Sequence, residues 1–152
     1  MSASPSSPSR AVERLRLSPS ADATWTGPSG STFIVVPTPS VVVIVMRGRV
    51  DSPAGPVIYR VAGEALRRSE ADVFFDIADM VGYQSDVRAQ ATDVILHNSG
   101  RVKSVHAIAT SSLVKMGVAV ANIALGGKIT QHADVLSFDT ALEQAIAHGR
   151  RS

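Results

Sequence analysis

Short β-branched runs alternate with segments of helical periodicity along most of this chain, and this alternation restricts the folds open to it. Apolar runs such as Phe33–Val36, Val41–Met46 and Val73–Ile77 are typical of strands. In the segments between them, apolar residues recur every three or four positions, as they do on one face of a helix. Strands that alternate with helices are joined by right-handed parallel crossovers, so the pattern predicts an α/β domain.

The predicted elements follow the order β-β-α-β-α-β-α-β-α. The first two strands flank Pro37–Ser40, a loop signal, and so form an opening β-hairpin. The other strands are predicted at 73–77, 102–109 and Val135–Phe138, and the four helices at 56–69, 85–98, 113–125 and 139–149, with Asp139 as the cap of the last. Because a hairpin is antiparallel and the crossovers are parallel, the central sheet is mixed.

Residues 1–31 have the composition of a flexible Ser/Pro-rich tail. They hold four of the eight prolines together with many serines. Such a segment buries too little apolar surface to offset the entropy lost on ordering. The regular pattern begins after this segment and continues to Gly149, so we expect one α/β domain over residues 32–149.

The distribution of charge argues against a nucleic-acid partner, although the sequence pI is near 9.4. The formal net charge is only +2, and the positive excess lies in the first 24 residues and in Arg150 and Arg151. Basic residues do not alternate with aromatic ones along any predicted strand, as they do on nucleic-acid-binding sheets. We therefore expect no nucleic-acid partner.

The sequence contains no pattern typical of a membrane span or of a secretion signal. The longest apolar stretch, Phe33–Met46, is broken by Pro37–Ser40 and is shorter than the about 20 apolar residues that a span needs. Residues 1–24 lack the apolar core of a secretory signal. We expect a cytoplasmic protein that does not span a membrane.

Candidate catalytic and metal-binding residues are few. The chain has no cysteine, which excludes disulfides, thiol nucleophiles and thiolate metal sites. Asp76 and Asp79 lie at the carboxyl end of a buried strand, where carboxylates could bind Mg²⁺, but roles in turns or helix caps explain them better. The Gly-x-Ser-x-Gly motif of serine hydrolases is absent. None of the four histidines has the spacing of a zinc protease: His97, His106, His132 and His148. We expect no metal, no cofactor and no catalysis.

The third predicted helix, residues 113–125, is apolar on nearly every side, and Lys115 and Asn122 are its only strongly polar residues. Packing on the sheet would cover one face of such a helix, and a protein partner or an apolar ligand would cover another. Thr110–Ser112 precede it. Their hydroxyls suit a helix cap, and an anion held near Lys115 is the alternative.

Taken in order, these elements resemble the STAS domain (sulfate transporter and anti-sigma factor antagonist), and more narrowly its SpoIIAA-like group, which is related to the CRAL-TRIO lipid-transfer fold. The similar segments are the second strand with its following Arg47–Asp51, the central strand 73–77, Arg101–Ala109, and Val135–Asp139 with Ala141 and Leu142. The resemblance covers residues 32–149. It implies a single STAS-like domain with a regulatory, non-catalytic role.

The chain departs from this family at one position. Partner-switching members carry Asp-Ser-Ser-Gly before the second helix, and their second serine is phosphorylated. The corresponding residues here are Gln84, Ser85, Asp86 and Val87, so the resemblance puts Asp86 at the phosphoacceptor position. Either Asp86 mimics a permanently charged state or the phosphorylation site is lost, and Ser85 also suits a plain helix N-cap.

Two functions follow from these observations. The first is a regulatory domain that binds a protein partner through residues 82–88 and 110–115. The predicted contact residues are Met80, Tyr83, Ser85, Asp86, Thr110, Ser111 and Lys115. The second is a small domain that binds an apolar ligand or lipid, which the alanine-rich third helix and the kinship with CRAL-TRIO suggest.

Overall fold

A computed structural model describes residues 10–151, which form five α-helices, seven strands and two short 3-10 turns. The helices are α1 (Ala11–Arg14), α2 (Ala54–Arg68), α3 (Ser85–His97), α4 (Ser112–Ala124) and α5 (Val135–Arg151). The strands are β1 (Thr24–Thr26), β2 (Gly30–Thr38), β3 (Val41–Val50), β4 (Ala71–Ile77), β5 (Met80–Tyr83), β6 (Val102–Ala109) and β7 (Ile129–Gln131). Within residues 10–151, no helix combines the length and the apolar character needed to cross a bilayer.

All seven strands belong to one mixed sheet. The strand order is β1-β2-β3-β4-β6-β7, and β5 pairs with β3 beyond the end of β4. The pairs β1–β2 and β2–β3 are antiparallel, whereas β3, β4, β6 and β7 run parallel. The predicted mixed α/β fold with its opening hairpin is therefore confirmed.

The middle of the sheet is buried on both faces. Along β3, alternate side chains enter two different cores, and each of the six from Val41 to Met46 is at most 4% exposed. The adjacent strand β4 also alternates between the two cores, with Phe75 in the first and Phe74 in the second. Continuous β-branched and aromatic runs are typical of strands covered on both sides. The sheet therefore needs a helical layer on each face.

The two faces are covered by different elements. Helices α2, α3 and α4 pack on the first face, for example through Ile58, Val94 and Val114. Helix α5 covers the second face through Phe138, Leu142 and Ile146, together with the N-terminal segment.

The N-terminal segment differs from the flexible tail predicted over residues 1–31. Ala11 and Val12 are buried in the second core, and β1 pairs with β2. Arg14 forms an ion pair with Asp139, at 3.3 Å between Nη1 and Oδ2. Tertiary contacts order this segment, and its composition alone does not reveal them. The domain thus begins before residue 32, while residues 1–9 of the expected tail lie outside the described residues.

The strand predicted at Val135–Phe138 is also wrong, because these residues form the first turn of α5. The Asp134 carboxylate accepts a hydrogen bond from the Ser137 amide at 2.8 Å, as an N-cap side chain does. Asp139 therefore does not cap the helix. It is 3% exposed and accepts a hydrogen bond from the Ala11 amide at 2.7 Å.

The sheet instead ends in β7, which has only three residues and pairs with β6. Strand β5 has four residues and follows directly on the turn after β4. Both strands, like β1, are too short for a periodic pattern to appear in the sequence.

Truncating Phe138 tests the corrected position of α5. In a strand, Leu136 and Phe138 would share a face, whereas in the helix Phe138 is fully buried and Leu136 is 77% exposed. We expect Phe138→Ala to lower the free energy of unfolding by about 3–5 kcal/mol. Leu136→Ala should change it by about 0.5 kcal/mol or less. Chemical denaturation measures both, and equal losses would contradict the helical register.

Candidate functional site

Helix α4 has an apolar face that the described residues leave uncovered. Its inner residues Val114, Gly117 and Val118 are buried against the sheet. On its outer side, four apolar residues are between 50% and 82% exposed: Leu113, Met116, Val120 and Ile123. We call these four residues the α4 stripe. Their spacing of three or four positions places them along one side of the helix. An apolar surface of this kind is typical of an interaction site.

The start of α4 agrees with the cap predicted from the sequence. Ser111 is the N-cap residue, and its hydroxyl accepts a hydrogen bond from the Val114 amide at 3.4 Å. Thr110 and Lys115 are exposed beside it. These three polar residues therefore lie next to the α4 stripe.

Strand β5 packs against α4 through Tyr83. The Tyr83 ring is half-buried, and its hydroxyl accepts a hydrogen bond from the Arg88 guanidinium at 3.1 Å. A methyl group on Gly117 would overlap the Tyr83 hydroxyl, so glycine at this position permits the close approach. Met80, at the other end of β5, is only 4% exposed. Its predicted role as a surface anchor therefore does not fit the structure.

Ser85 and Asp86 begin α3, but neither acts as the N-cap. The N-cap is Gln84, whose side-chain oxygen accepts a hydrogen bond from the Ser52 amide at 2.5 Å. Asp86 accepts a hydrogen bond from the Ser52 hydroxyl at 2.8 Å, and Ser85 is exposed. The interpretation of Ser85 as a cap is therefore wrong. Both side chains remain at the surface, on the helix that follows β5.

An apolar cavity of about 70 Å³ lies between α3, α4 and the sheet, and it is partly open to solvent. Its walls come from the first core, and almost all of them are apolar. The predicted residues Met80 and Tyr83 both line it, together with Phe75, Ala91, Val118 and Ala121 among others. The cavity therefore lies beneath the inner face of α4, on the opposite side of the helix from the α4 stripe.

The carboxylates considered for Mg²⁺ are occupied by an arginine of the same chain. Asp76 is 2% exposed and forms an ion pair with Arg10, which also lies 3.5 Å from Asp79. Because the Arg10 guanidinium pairs with both carboxylates, Asp76 and Asp79 help to hold the N-terminal segment in place. Across residues 10–151 no three histidine or carboxylate side chains are grouped in a way that could hold a metal ion.

Two of the histidines are in direct contact, which the sequence analysis did not predict. His106 on β6 and His132 after β7 lie with their facing ring nitrogens 2.9 Å apart. Burial lowers the pKa of His106, the neighbouring His132 lowers it further, and Asp72 raises it. Burial also lowers the pKa of His132, against a smaller rise from Asp134. Because β6 and β7 are adjacent parallel strands, only their pairing brings these residues together.

Comparison with solved structures gives the fold of the chain. It is similar to the anti-sigma factor antagonist SpoIIAA in its unphosphorylated form, with a TM-score of 0.57 and 13% identity over 74% of this chain and 96% of that one. It is also similar to an uncharacterized DUF3478-family protein with a SpoIIAA-like fold from Shewanella loihica PV-4. That match has a TM-score of 0.55 and 16% identity, over 80% and 98% of the two chains. Neither a family model nor a curated protein matches the sequence.

These similarities confirm the expected STAS-like, SpoIIAA-like fold. At 13% and 16% identity they concern the fold alone. Any function must therefore be inferred from the surface and the cavity of this chain.

A double-mutant cycle tests the contact between Tyr83 and Gly117. In a helix interior alanine is favoured over glycine by about 1 kcal/mol, but here the added methyl group must push the Tyr83 ring away. We expect Gly117→Ala to destabilise the protein by about 1–3 kcal/mol. In a Tyr83→Ala background the same change should instead stabilise it by up to about 1 kcal/mol. Thermal or chemical unfolding of the four proteins measures this, and equal effects in both backgrounds would contradict the contact.

Proposed function

We propose that this chain is a cytoplasmic regulatory domain with a STAS-like fold that acts by binding a protein partner and not by catalysis. The observation that carries the proposal is the α4 stripe, four apolar side chains that are at least half exposed on one side of a helix. A protein interface typically combines such an apolar centre with a polar rim. Thr110, Ser111 and Lys115 supply the rim at the start of α4.

The second part of the binding surface comes from β5 and the start of α3. Tyr83 connects the two parts, because its ring packs against α4 while α3 begins two residues later. Ser85 and Asp86 are exposed there and supply polar contacts. Met80 supports this surface from beneath and does not itself touch the partner.

The surface works without phosphorylation in this proposal. Asp86, which the resemblance aligns with the phosphoserine of partner-switching proteins, supplies a carboxylate that needs no kinase. Its hydrogen bond to Ser52 fixes the carboxylate at the start of α3, where the helix dipole favours a negative charge. A partner that spans both parts of the surface would therefore meet this carboxylate at the start of α3 as well as the apolar stripe on α4.

Charge substitutions in the α4 stripe test the proposed interface. We expect the double variant Met116→Asp with Ile123→Asp to recover about tenfold less partner in affinity purification from the native cells, because the substitutions put charges at the apolar centre. Leu136→Asp is the matched control, since Leu136 is 77% exposed on α5, outside the stripe.

Quantitative mass spectrometry identifies the proteins that depend on the stripe. Proteins lost from the double variant and retained by the Leu136→Asp control would support the interface. Equal recovery by all three proteins would contradict it. A Tyr83→Ala, Asp86→Ala variant applies the same comparison to the β5–α3 part of the surface.

A second candidate function, binding of an apolar ligand or lipid, is favoured by the cavity under α4. Its volume of about 70 Å³ is about half that of a cavity known to admit benzene. It therefore suits a short piece of an aliphatic chain whose remainder leaves through the open side. Its lining is apolar apart from Tyr83, Arg88 and Thr92.

Filling the cavity tests this second function. Ala121 lines the cavity, whereas Ala119 is exposed on the same helix. Native mass spectrometry of protein from cells, and after addition of decanoic acid, should show a bound ligand on the wild type and on Ala119→Trp. The Ala121→Trp variant should lose it because the indole occupies the space. A ligand-free mass for the wild type, or equal binding by both variants, would contradict this function.

A further inference from the structure

One charged side chain lines the apolar cavity beneath α4. Arg88 on α3 is half-buried, and its guanidinium donates a hydrogen bond to the Tyr83 hydroxyl at 3.1 Å. In the part of the chain that the structure describes, this is the only hydrogen bond of the Arg88 side chain, and no carboxylate pairs with it. Arg10, which is also half-buried, has Asp76 as its partner. A guanidinium withdrawn from water is stabilised by an opposite charge, and Arg88 lacks one.

The polar groups of the cavity lining lie together, between α3 and α4. Arg88 and Thr92 are one turn apart on α3, so their side chains lie on the same side of that helix. The Tyr83 hydroxyl reaches α4, where a methyl group on Gly117 would overlap it. The hydrogen bond between Arg88 and Tyr83 therefore spans the gap between the two helices. The other residues of the lining are apolar.

This polar edge offers hydrogen-bond donors to a ligand. The Tyr83 hydroxyl accepts from Arg88, so its own proton is free to donate. A guanidinium has five N–H donors, and Arg88 uses one of them. A carboxylate only accepts hydrogen bonds, and its two oxygens match a guanidinium better than any other side chain. A phosphate monoester would bring nearly two negative charges to this single positive charge, whereas a carboxylate brings one.

We propose that the cavity binds a short aliphatic monocarboxylate. Its carboxylate lies between the Arg88 guanidinium and the Tyr83 hydroxyl, and its alkyl part fills the apolar space toward the sheet. The volume of about 70 Å³ limits the alkyl part that can be buried to a short one. This inference rests on the second candidate function, the binding of an apolar ligand, and adds the chemical class of that ligand and the residues that recognise it.

Titration with hexanoate and with hexanol, followed by NMR of the backbone amides, tests the proposal. The two probes have the same alkyl chain, but only hexanoate carries a carboxylate. We expect the wild type to bind hexanoate about tenfold more tightly than hexanol, because charge-assisted hydrogen bonds are stronger than neutral ones. Both probes should shift the amide signals of Ala91 and Ala121, which line the cavity on α3 and α4.

Substitution of the two polar residues separates recognition of the carboxylate from filling of the cavity. Arg88→Gln should weaken hexanoate binding by about tenfold and change hexanol binding by less than about twofold. Tyr83→Phe keeps the ring, removes the hydroxyl and should weaken hexanoate binding by about threefold or more. Arg68→Gln is the matched control, because it removes the same charge from an exposed position on α2. It should bind both probes as the wild type does.

The outcomes distinguish this inference from the function on which it rests. Loss of hexanoate confined to Arg88→Gln and Tyr83→Phe, with hexanol retained, would support the carboxylate site. Equal hexanoate binding by the wild type and Arg88→Gln would overturn that site and leave the apolar-ligand function standing. Equal loss of both probes from Arg88→Gln would also overturn it, because the arginine would then support the cavity itself. Binding of neither probe by the wild type would overturn the site and the function together.

Discussion

The burial of β3 and β4 on both faces is the constraint on which the rest of the structure depends. Side chains from Val41 to Met46 alternate between two cores, so neither face of the sheet can be left to solvent. Three helices cover the first face, but α5 alone covers most of the second, and residues 10–14 complete it. On the first face, α4 lies toward the β6 and β7 edge of the sheet. Its inner side closes the core there, and the apolar stripe on its outer side is left at least half exposed by residues 10–151.

The sequence predicts the centre of this fold well, because long β-branched runs and helical periodicity are local signals. The sequence-based prediction fails for segments whose structure is determined by tertiary contacts. Ala11 and Val12 are ordered by α5 and by ion pairs that join residues more than 120 positions apart, such as Arg14 with Asp139. The run Val135–Phe138 is too short for its period to distinguish a strand from a helical turn, and the Asp134 cap decides for the helix.

The candidate site is predictable to a similar degree. The cap at Ser111 and the unusual apolar character of α4 are visible in the sequence, and the structure places Thr110, Ser111 and Lys115 beside the stripe. Met80 could not be distinguished from a surface residue, because the four-residue strand that buries it has no clear pattern. The contact between His106 and His132 depends on the register of two parallel strands, which no local pattern specifies.

Photo-crosslinking in the native cells tests the central claim, that the α4 stripe is a protein interface, most directly. A photoreactive benzoylphenylalanine would replace Ile123, which is 82% exposed, and in a separate variant Leu136, which is 77% exposed on α5. The account predicts a discrete adduct with a second protein from position 123 and none from position 136. No adduct from position 123, or the same adducts from both positions, would contradict it.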